Sequence, residues 1–309
     1  MMEETFQKIE EQISQAIYPG ASLAYFQKGK WQEAYFGTQD GSEPVKAGLI
    51  YDLASVSKVV GVGTLLILAY QSGQLDLDAS LKSYYPAVEN EKLTIRDLLT
   101  HASGIDPFIP NRDQLNQEEL IAAINKITVK EEKDFLYTDI NFILLGLMLE
   151  YQNKQTLDQL FQDKIFGPWQ MTETSFGPRE MAVPTVKGQK AGLVHDPKAR
   201  VLGVHTGSAG LFSNLRDLER FVNHYLTDDF AEDLVKNYSY SSKERSLAWD
   251  LQDDWLLHTG YTGTFILINI PQQSAAIFLS NRTYEKDERA QWILDRNELI
   301  EIIKKDLLA

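Results

Sequence analysis

The sequence contains no cysteine. Its 309 residues therefore offer no disulfide, no thiolate metal site and no thiol nucleophile, so any nucleophile must be an oxygen or a lysine nitrogen. Positive charge is also scarce, because 30 lysines and arginines stand against 44 acids, a formal net charge of −14 at pH 7. Such a chain repels nucleic acid and anionic membranes, so neither is expected as a partner and a small-molecule substrate is favoured.

Several familiar motifs are missing as well. There is no HExxH, no GxSxG and no P-loop, and the five histidines show no ligand spacing, so neither a metal nor a cofactor is expected. The N-terminus has no basic leader followed by an apolar core, which predicts a cytoplasmic protein. The longest apolar runs, around 59–70 and 142–149, are interrupted by glycine or too short to span a bilayer, and are predicted to be buried helices.

The order of the sequence patterns predicts an α and β fold. After a predicted helix over 1–17, β-rich runs at 21–27 and 31–37 are joined by Lys28-Gly29-Lys30, which is typical of a hairpin. From about 55 to 226 the apolar spacing is mainly helical. Strand patterns return within 246–281, before a closing helix over about 285–305.

Strands at both chain ends with helices between them predict one mixed sheet, an inserted helical lobe and a cleft at the junction. The predicted sheet lobe comprises 1–60 and 205–309, and the mostly helical lobe comprises 61–204. A loop rich in Pro and Gly covers 167–210, and a loop of that length usually shapes a site. We therefore expect the active site between the lobes.

The segment LASVSKVVG, residues 53–61, holds the only S-x-x-K of the chain. On a helix, positions i and i+3 share a face, so Lys58 can reach Ser55 but not Ser57. A serine is a poor nucleophile until a base takes its proton, and a buried lysine can be or tune that base. The alternative is that Ser55 is simply an N-cap, a position that serine favours.

Two further stretches carry candidate groups. Tyr137 precedes an apolar helix, and a tyrosine becomes a useful base beside a positive charge such as Lys58; the alternative makes Tyr137 an interface aromatic and Asp139 an N-cap. The stretch WLLHTGYTGTFILINIP, residues 255–271, has glycines in a strand-like run, which indicates close approach of a ligand to the backbone. A β-bulge or a hairpin turn would explain those glycines equally well.

Taken in order, the three stretches resemble the serine β-lactamases and penicillin-binding proteins, specifically the class C branch with its related esterases and D-alanyl peptidases. That family carries S-x-x-K, Y-x-N and K-T-G or H-T-G. This chain has Ser55 and Lys58, then Tyr137 and Asp139, then His258, Thr259 and Gly260. The resemblance implies a β-lactamase-like fold with a mainly antiparallel sheet.

The resemblance also implies residue roles. Ser55 would form an acyl-enzyme, with Lys58 and Tyr137 sharing the work of the general base, and the backbone N–H groups of Ser55 and Tyr261 would form the oxyanion hole. Asp139, His258, Thr259 and Gly260 would bind substrate.

Two of these positions depart from the family pattern. Asp139 replaces an amide and cannot donate a hydrogen bond when ionised, so we expect it to keep Lys58 charged and to repel substrate carboxylates. His258 replaces a lysine, and a histidine is largely neutral at pH 7. Both departures weaken the case for efficient β-lactam hydrolysis.

The functional prediction is a β-lactamase-related serine hydrolase acting on esters, amides or D-amino-acid peptides of muropeptide type, with at most weak β-lactamase or penicillin-binding activity. The alternative is a catalytically weak penicillin-binding or sensor-type module with the same fold.

Overall fold

A computed structural model describes residues 2–309, so Met1 of the predicted first helix lies outside the described residues. The strands are β1 Gly20–Gln27, β2 Lys30–Gly37, β3 Tyr51–Asp52, β4 Ser175–Phe176, β5 Leu211–Ser213, β6 Asp250–Gln252, β7 Trp255–Thr259, β8 Phe265–Asn269 and β9 Ser274–Ser280. The α-helices are α1 Glu3–Ser14, α2 Thr64–Gln71, α3 Leu81–Tyr84, α4 Ile95–Leu99, α5 Gln117–Asn125, α6 Asp139–Asn153, α7 Leu157–Phe161, α8 Pro197–Leu202, α9 Leu215–Thr227 and α10 Arg289–Leu308.

The main sheet has six strands in the order β2-β1-β9-β8-β7-β6, and every neighbouring pair is antiparallel. The predicted hairpin is confirmed, because β1 and β2 pair from Gly20 with Gly37 to Gln27 with Lys30. The strand β1 also pairs with β9, which joins the two chain ends in the middle of the sheet. A sheet built from both ends is therefore confirmed.

Both faces of the main sheet are covered. Successive side chains of a strand point to opposite faces. In β8, Phe265 and Leu267 pack with α1 and α10, while Ile266 and Ile268 belong to the core on the other side. The helix α9 contacts β1, β8 and β9 on that second side. This double burial explains why the central strands are nearly continuous apolar runs.

The helical part of the chain is organised around α6. Every residue from Ile140 to Leu149 is buried, so this helix is apolar on all sides. A capping box begins α4, since the Thr94 side chain accepts from Asp97 N–H and the Asp97 carboxylate accepts from Thr94 N–H. A second, three-stranded sheet has the order β3-β5-β4. The boundaries of the two lobes stay a prediction.

One helical segment of residues 2–309, Ala54–Gln71, is long and apolar enough by composition to cross a membrane, with a mean hydropathy of 1.4. The turns that begin at Ala54 continue into α2, so the helical segment is longer than the apolar run around 59–70, and the prediction that this run is a buried helix is confirmed. About 67% of this window is buried inside the fold, as in the core helix of a folded domain.

Candidate active site

Ser55 lies in a 3₁₀ turn, Ala54–Val56, at the start of that helical segment. Lys58 Nζ donates to Ser55 Oγ at 2.9 Å, as the i, i+3 spacing predicts. Ser57 Oγ points into the core and accepts from the N–H of Leu211 at 3.1 Å. The N-cap interpretation of Ser55 was wrong, because Leu53 holds the capping position and no side chain caps the turn.

Lys58 is fully buried, and all three of its donors have partners. In addition to Ser55, its ammonium donates to Asp139 Oδ1 at 2.7 Å and to the carbonyl oxygen of Ser208 at 2.9 Å. Burial by itself lowers the pKa of Lys58, but the Asp139 carboxylate and the Tyr137 hydroxyl raise it by more, so its pKa stands above the usual value. Lys58 is therefore an ammonium in this state, with no free lone pair to accept a proton.

Asp139 bridges two lysines. Its Oδ1 accepts from Lys58, and its Oδ2 lies 2.9 Å from Nζ of Lys198. Burial alone would raise the pKa of the Asp139 carboxyl, but the two ammonium groups outweigh burial and hold it well below its usual range. The prediction that Asp139 keeps Lys58 charged fits this geometry, whereas its predicted repulsion of substrate carboxylates stays a prediction, with Lys198 as a second counter-charge on the far side.

Tyr137 lies two residues before the first residue of α6 and is 41% exposed. Its ring stacks on His101 with 4.4 Å between centroids and lies 5.1 Å from Lys58 Nζ. The cap of α6 is Thr138, whose Oγ1 accepts from the N–H of Ile140 at 3.4 Å. The alternative that made Asp139 the N-cap was therefore wrong, and Asp139 is free to bind the two lysines.

The H-T-G stretch is part of a hairpin rather than one long strand. The strands β7 and β8 pair from Trp255 with Asn269 to Thr259 with Phe265, and Gly260 and Gly263 belong to the turn between them. A Cβ on Gly260 would lie 2.6 Å from the carbonyl oxygen of Leu53. Glycine is therefore required for the approach of this hairpin to the serine turn, and not for the approach of a ligand.

Ser55 and Tyr261 line the same cavity of about 500 Å³. The N–H groups of these two residues donate to no other group within residues 2–309. Two free N–H groups beside a nucleophile are what an oxyanion hole requires.

His258 and Thr259 line a second cleft of about 270 Å³, which shares Tyr137 with the first cavity. Burial lowers the pKa of His258 well below its usual value, and the charges of Lys58 and Arg245 lower it further, so the ring is neutral at pH 7. Positive charge comes instead from Arg296, whose Nη1 donates to Thr259 Oγ1 at 3.1 Å; buried Arg245 is already paired with Asp250 at 3.1 Å.

The turn that carries the nucleophile is tied to the long loop by Asp52, which is buried. Its Oδ1 accepts from the N–H of Ala54 at 2.8 Å and its Oδ2 from the N–H of His195 at 2.7 Å. Burial raises the pKa of this carboxyl to about 6. Ala54 takes a φ of 46°, a left-handed conformation that a non-glycine residue holds only when its surroundings impose it.

The segment 167–210 shapes the site, as predicted, although it is not all loop, because it contains β4 and the short helix α8. His195, Asp196 and Lys198 line the 500 Å³ cavity, and Ser208 lies close enough for its carbonyl to accept from Lys58. The sequence reasoning missed Lys198, Ser208, Arg245, Arg296 and Asp52. The available signals were the length of that loop and, for Asp52, its position three residues before the nucleophile.

No group of three or more His, Cys, Asp or Glu side chains within residues 2–309 is arranged to hold a metal ion. The charged groups around Ser55 are paired with one another, so the geometry is that of a buried ion-pair network beside a hydroxyl nucleophile.

The profile of the Beta-lactamase family matches residues 6–299. The chain belongs to the Beta-lactamase family. It is 25% identical to a protein of Escherichia coli O157:H7 named "Putative D-alanyl-D-alanine carboxypeptidase", across 91% of this chain and 83% of that one. The chain is a serine hydrolase of the β-lactamase family, and the predicted resemblance is confirmed.

Solved structures show that the β-lactamase-like fold extends over nearly the whole chain. A β-lactamase/D-alanine carboxypeptidase from Pseudomonas syringae superimposes with a TM-score of 0.77 and 18% identity, covering 96% of this chain and 98% of the other. EstCE1, a hydrolase with promiscuous acyltransferase activity, superimposes with a TM-score of 0.78 and 15% identity, covering 97% and 98%. The predicted fold class is therefore confirmed.

Proposed function

We propose that the protein hydrolyses esters, amides or D-amino-acid peptides through an acyl-enzyme on Ser55. The observation that carries this proposal is the 2.9 Å contact between Lys58 Nζ and Ser55 Oγ in a cavity that also holds two free backbone N–H groups. Ser55 Oγ attacks the acyl carbonyl, the oxyanion accepts from the N–H groups of Ser55 and Tyr261, and the leaving group departs. Water then releases the acid.

Tyr137 is a better candidate than Lys58 for the group that accepts the proton of Ser55. All three donors of the Lys58 ammonium are occupied, so it stabilises negative charge near Ser55 but cannot take the serine proton in this state. The Tyr137 ring lies 5.1 Å from that ammonium, and Tyr137 lines the same cavity as Ser55. The proton of Ser55 passes to Tyr137 and then to the leaving group.

A substrate with a free terminal carboxylate has support in the second cleft. Arg296 donates to Thr259 Oγ1 and to Asn297 Oδ1 and forms no ion pair with a carboxylate of residues 2–309. An unpaired guanidinium is a good partner for a carboxylate. A D-amino-acid peptide bears that group, and the Escherichia coli relative is named for such a reaction.

A fluorophosphonate probe followed by intact-mass measurement tests the acyl-enzyme. We expect one adduct on the wild type and none on Ser55→Ala, with a p-nitrophenyl ester turnover reduced by about a thousandfold or more in that variant. Full ester turnover in Ser55→Ala would contradict the proposal. A fluorescent penicillin that forms a lasting adduct, with no turnover of any ester or peptide, would support the binding-module alternative.

The substrate class is tested with a diacetyl-lysyl-D-alanyl-D-alanine peptide and its C-terminal amide. The two differ only in the carboxylate, so we expect the acid to be cleaved faster. Equal rates would contradict a role for Arg296 and leave simple esters as the better substrate class.

A further inference from the structure

The ammonium of Lys198 lies beside the Lys58–Asp139 ion pair and lines the 500 Å³ cavity. Its Nζ is 2.9 Å from Asp139 Oδ2 and 3.3 Å from Asp196 Oδ2. An ammonium has three N–H donors. Two donors are occupied, and the third is available to a ligand in the cavity.

Lys198 is held in place before any ligand binds. Asp196 caps α8, because its Oδ1 accepts from the N–H of Ala199 at 2.8 Å, and its other oxygen faces Lys198. The Lys198 side chain is 16% exposed, far less than a typical surface lysine. A donor fixed on two sides loses little entropy when a ligand accepts from it.

The charges around Lys198 favour a neutral acceptor. Lys58 and Lys198 are positive, Asp139 and Asp196 are negative, and the four together sum to zero. A carbonyl oxygen can accept from the ammonium without changing that balance, whereas a carboxylate would add a negative charge next to those of Asp139 and Asp196. Ile109, Ile124 and Ile140 also line the cavity and suit the carbon chain of an acyl group.

We propose that Lys198 is a substrate-binding residue that donates to a neutral carbonyl oxygen within the acyl part of the substrate. The enzyme then prefers acyl groups bearing an amide or keto oxygen over plain alkanoyl groups. This inference rests on the acyl-hydrolase function proposed above and adds a selection between acyl groups.

Two esters of equal chain length test the inference: p-nitrophenyl pentanoate and p-nitrophenyl 4-oxopentanoate. The wild type should have the higher kcat/KM for the oxo ester. Lys198→Met removes the ammonium and keeps most of the stem. It should lower kcat/KM for the oxo ester about tenfold more than for pentanoate, the factor expected for one hydrogen bond from a charged donor, because any loss that acts through Asp139 is shared by both esters. Lys198→Arg should retain the preference.

The matched control is Lys190→Met, because Lys190 belongs to the same loop but is exposed and pairs with Glu180 on the surface; it should leave both esters unaffected. Equal losses on both esters in Lys198→Met would overturn the proposal, since Lys198 would then act only through Asp139. If that variant does not fold, equal kcat/KM for the two esters in the wild type would overturn it instead.

The fluorophosphonate probe separates this inference from the function on which it rests. A wild type that forms no adduct on Ser55 would contradict the acyl-enzyme itself. An adduct on Ser55 without discrimination between the two esters would contradict the role of Lys198 alone.

Discussion

Asp139 has surroundings in the structure that the sequence only partly predicts. Read along the sequence, it is a carboxylate where the family pattern has an amide, which predicted repulsion of anionic substrates. In the structure both of its oxygens face an ammonium, Lys58 on one side and Lys198 on the other. Its principal effect is therefore to hold Lys58 as an ammonium against Ser55.

Asp139→Asn should destabilise the protein by about 3 kcal/mol near neutral pH, because one carboxylate is removed from between two lysines. The pKa of Asp139 is depressed by folding, so its contribution is present above the unfolded pKa of about 4 and is lost as pH falls below it. The difference in the free energy of unfolding between the wild type and Asp139→Asn should therefore become smaller as the pH falls towards about 2. Urea unfolding across this range measures it.

Asp254→Asn, at an exposed position, is the control for this experiment and should show no such pH dependence. A stability difference between the wild type and Asp139→Asn that stays constant from neutral to acid pH would mean that the ion pairs do not stabilise the fold.

At the scale of elements, the site is a junction of four segments. The serine turn begins the helical segment that leads into α2. Tyr137 and Asp139 lie at the start of α6, the β7–β8 hairpin approaches the serine turn, and α8 supplies Lys198. Contact between the hairpin and the serine turn is very close, since Thr264 Oγ1 donates to the carbonyl oxygen of Leu53 at 3.0 Å. The absence of a side chain at Gly260 makes this contact possible.

Gly260→Ala should place a Cβ 2.1 Å from Thr264 Oγ1 and 2.6 Å from the Leu53 carbonyl oxygen. Because backbone cannot move aside as a flexible side chain does, we expect a loss of about 2 kcal/mol in stability. Movement of the serine turn away from Tyr261 should also lower kcat/KM by about a hundredfold, measured with a p-nitrophenyl ester.

Gly188→Ala is the control, since its Cβ meets nothing within 4 Å and only its φ of +78° opposes the substitution. It should cost about 1 kcal/mol and leave kcat/KM unchanged. Wild-type kinetics in Gly260→Ala would show that the hairpin does not position the oxyanion hole.

At the scale of the whole molecule, stability depends on joining the chain ends. The strand β1 pairs with β9, and α1 packs against α10. The link between the two helices includes a buried polar contact, in which the N–H and Oγ1 of Thr5 both donate to Asp306 Oδ2, at 2.9 and 2.8 Å. This contact lies on the face of the sheet that carries α1 and α10.

Asp306→Ala should cost about 2 kcal/mol, because it leaves two buried donors of Thr5 without an acceptor. The kcat/KM at room temperature should not change, since the contact is remote from Ser55. Chemical denaturation measures the loss. The matched control is Glu4→Ala, which removes an exposed ion pair with Lys305 between the same two helices and should change stability little.

Reduced kcat/KM in folded Asp306→Ala would show that the joined chain ends also control the site. Unchanged stability would show that water replaces Asp306 as the acceptor for Thr5.

The sequence by itself determined the features that depend on near neighbours. The pairing of Ser55 with Lys58 follows from helical spacing, the β1–β2 hairpin follows from a turn between two β-rich runs, and the Thr94 cap follows from a four-residue pattern. Period-2 and period-3.6 patterns also gave the order of strands and helices, because each reports which side of an element is buried.

Only the tertiary structure decided what surrounds the nucleophile. Asp139 lies 81 residues and Ser208 lies 150 residues from Lys58 in sequence, and no periodicity relates positions so distant. The close approach of Gly260 to the Leu53 carbonyl and the guanidinium of Arg296 beside Thr259 were likewise hidden, since both depend on how separate segments pack. The protonation state of each group in such a site depends on burial and on charged neighbours, and both are set only when the chain folds.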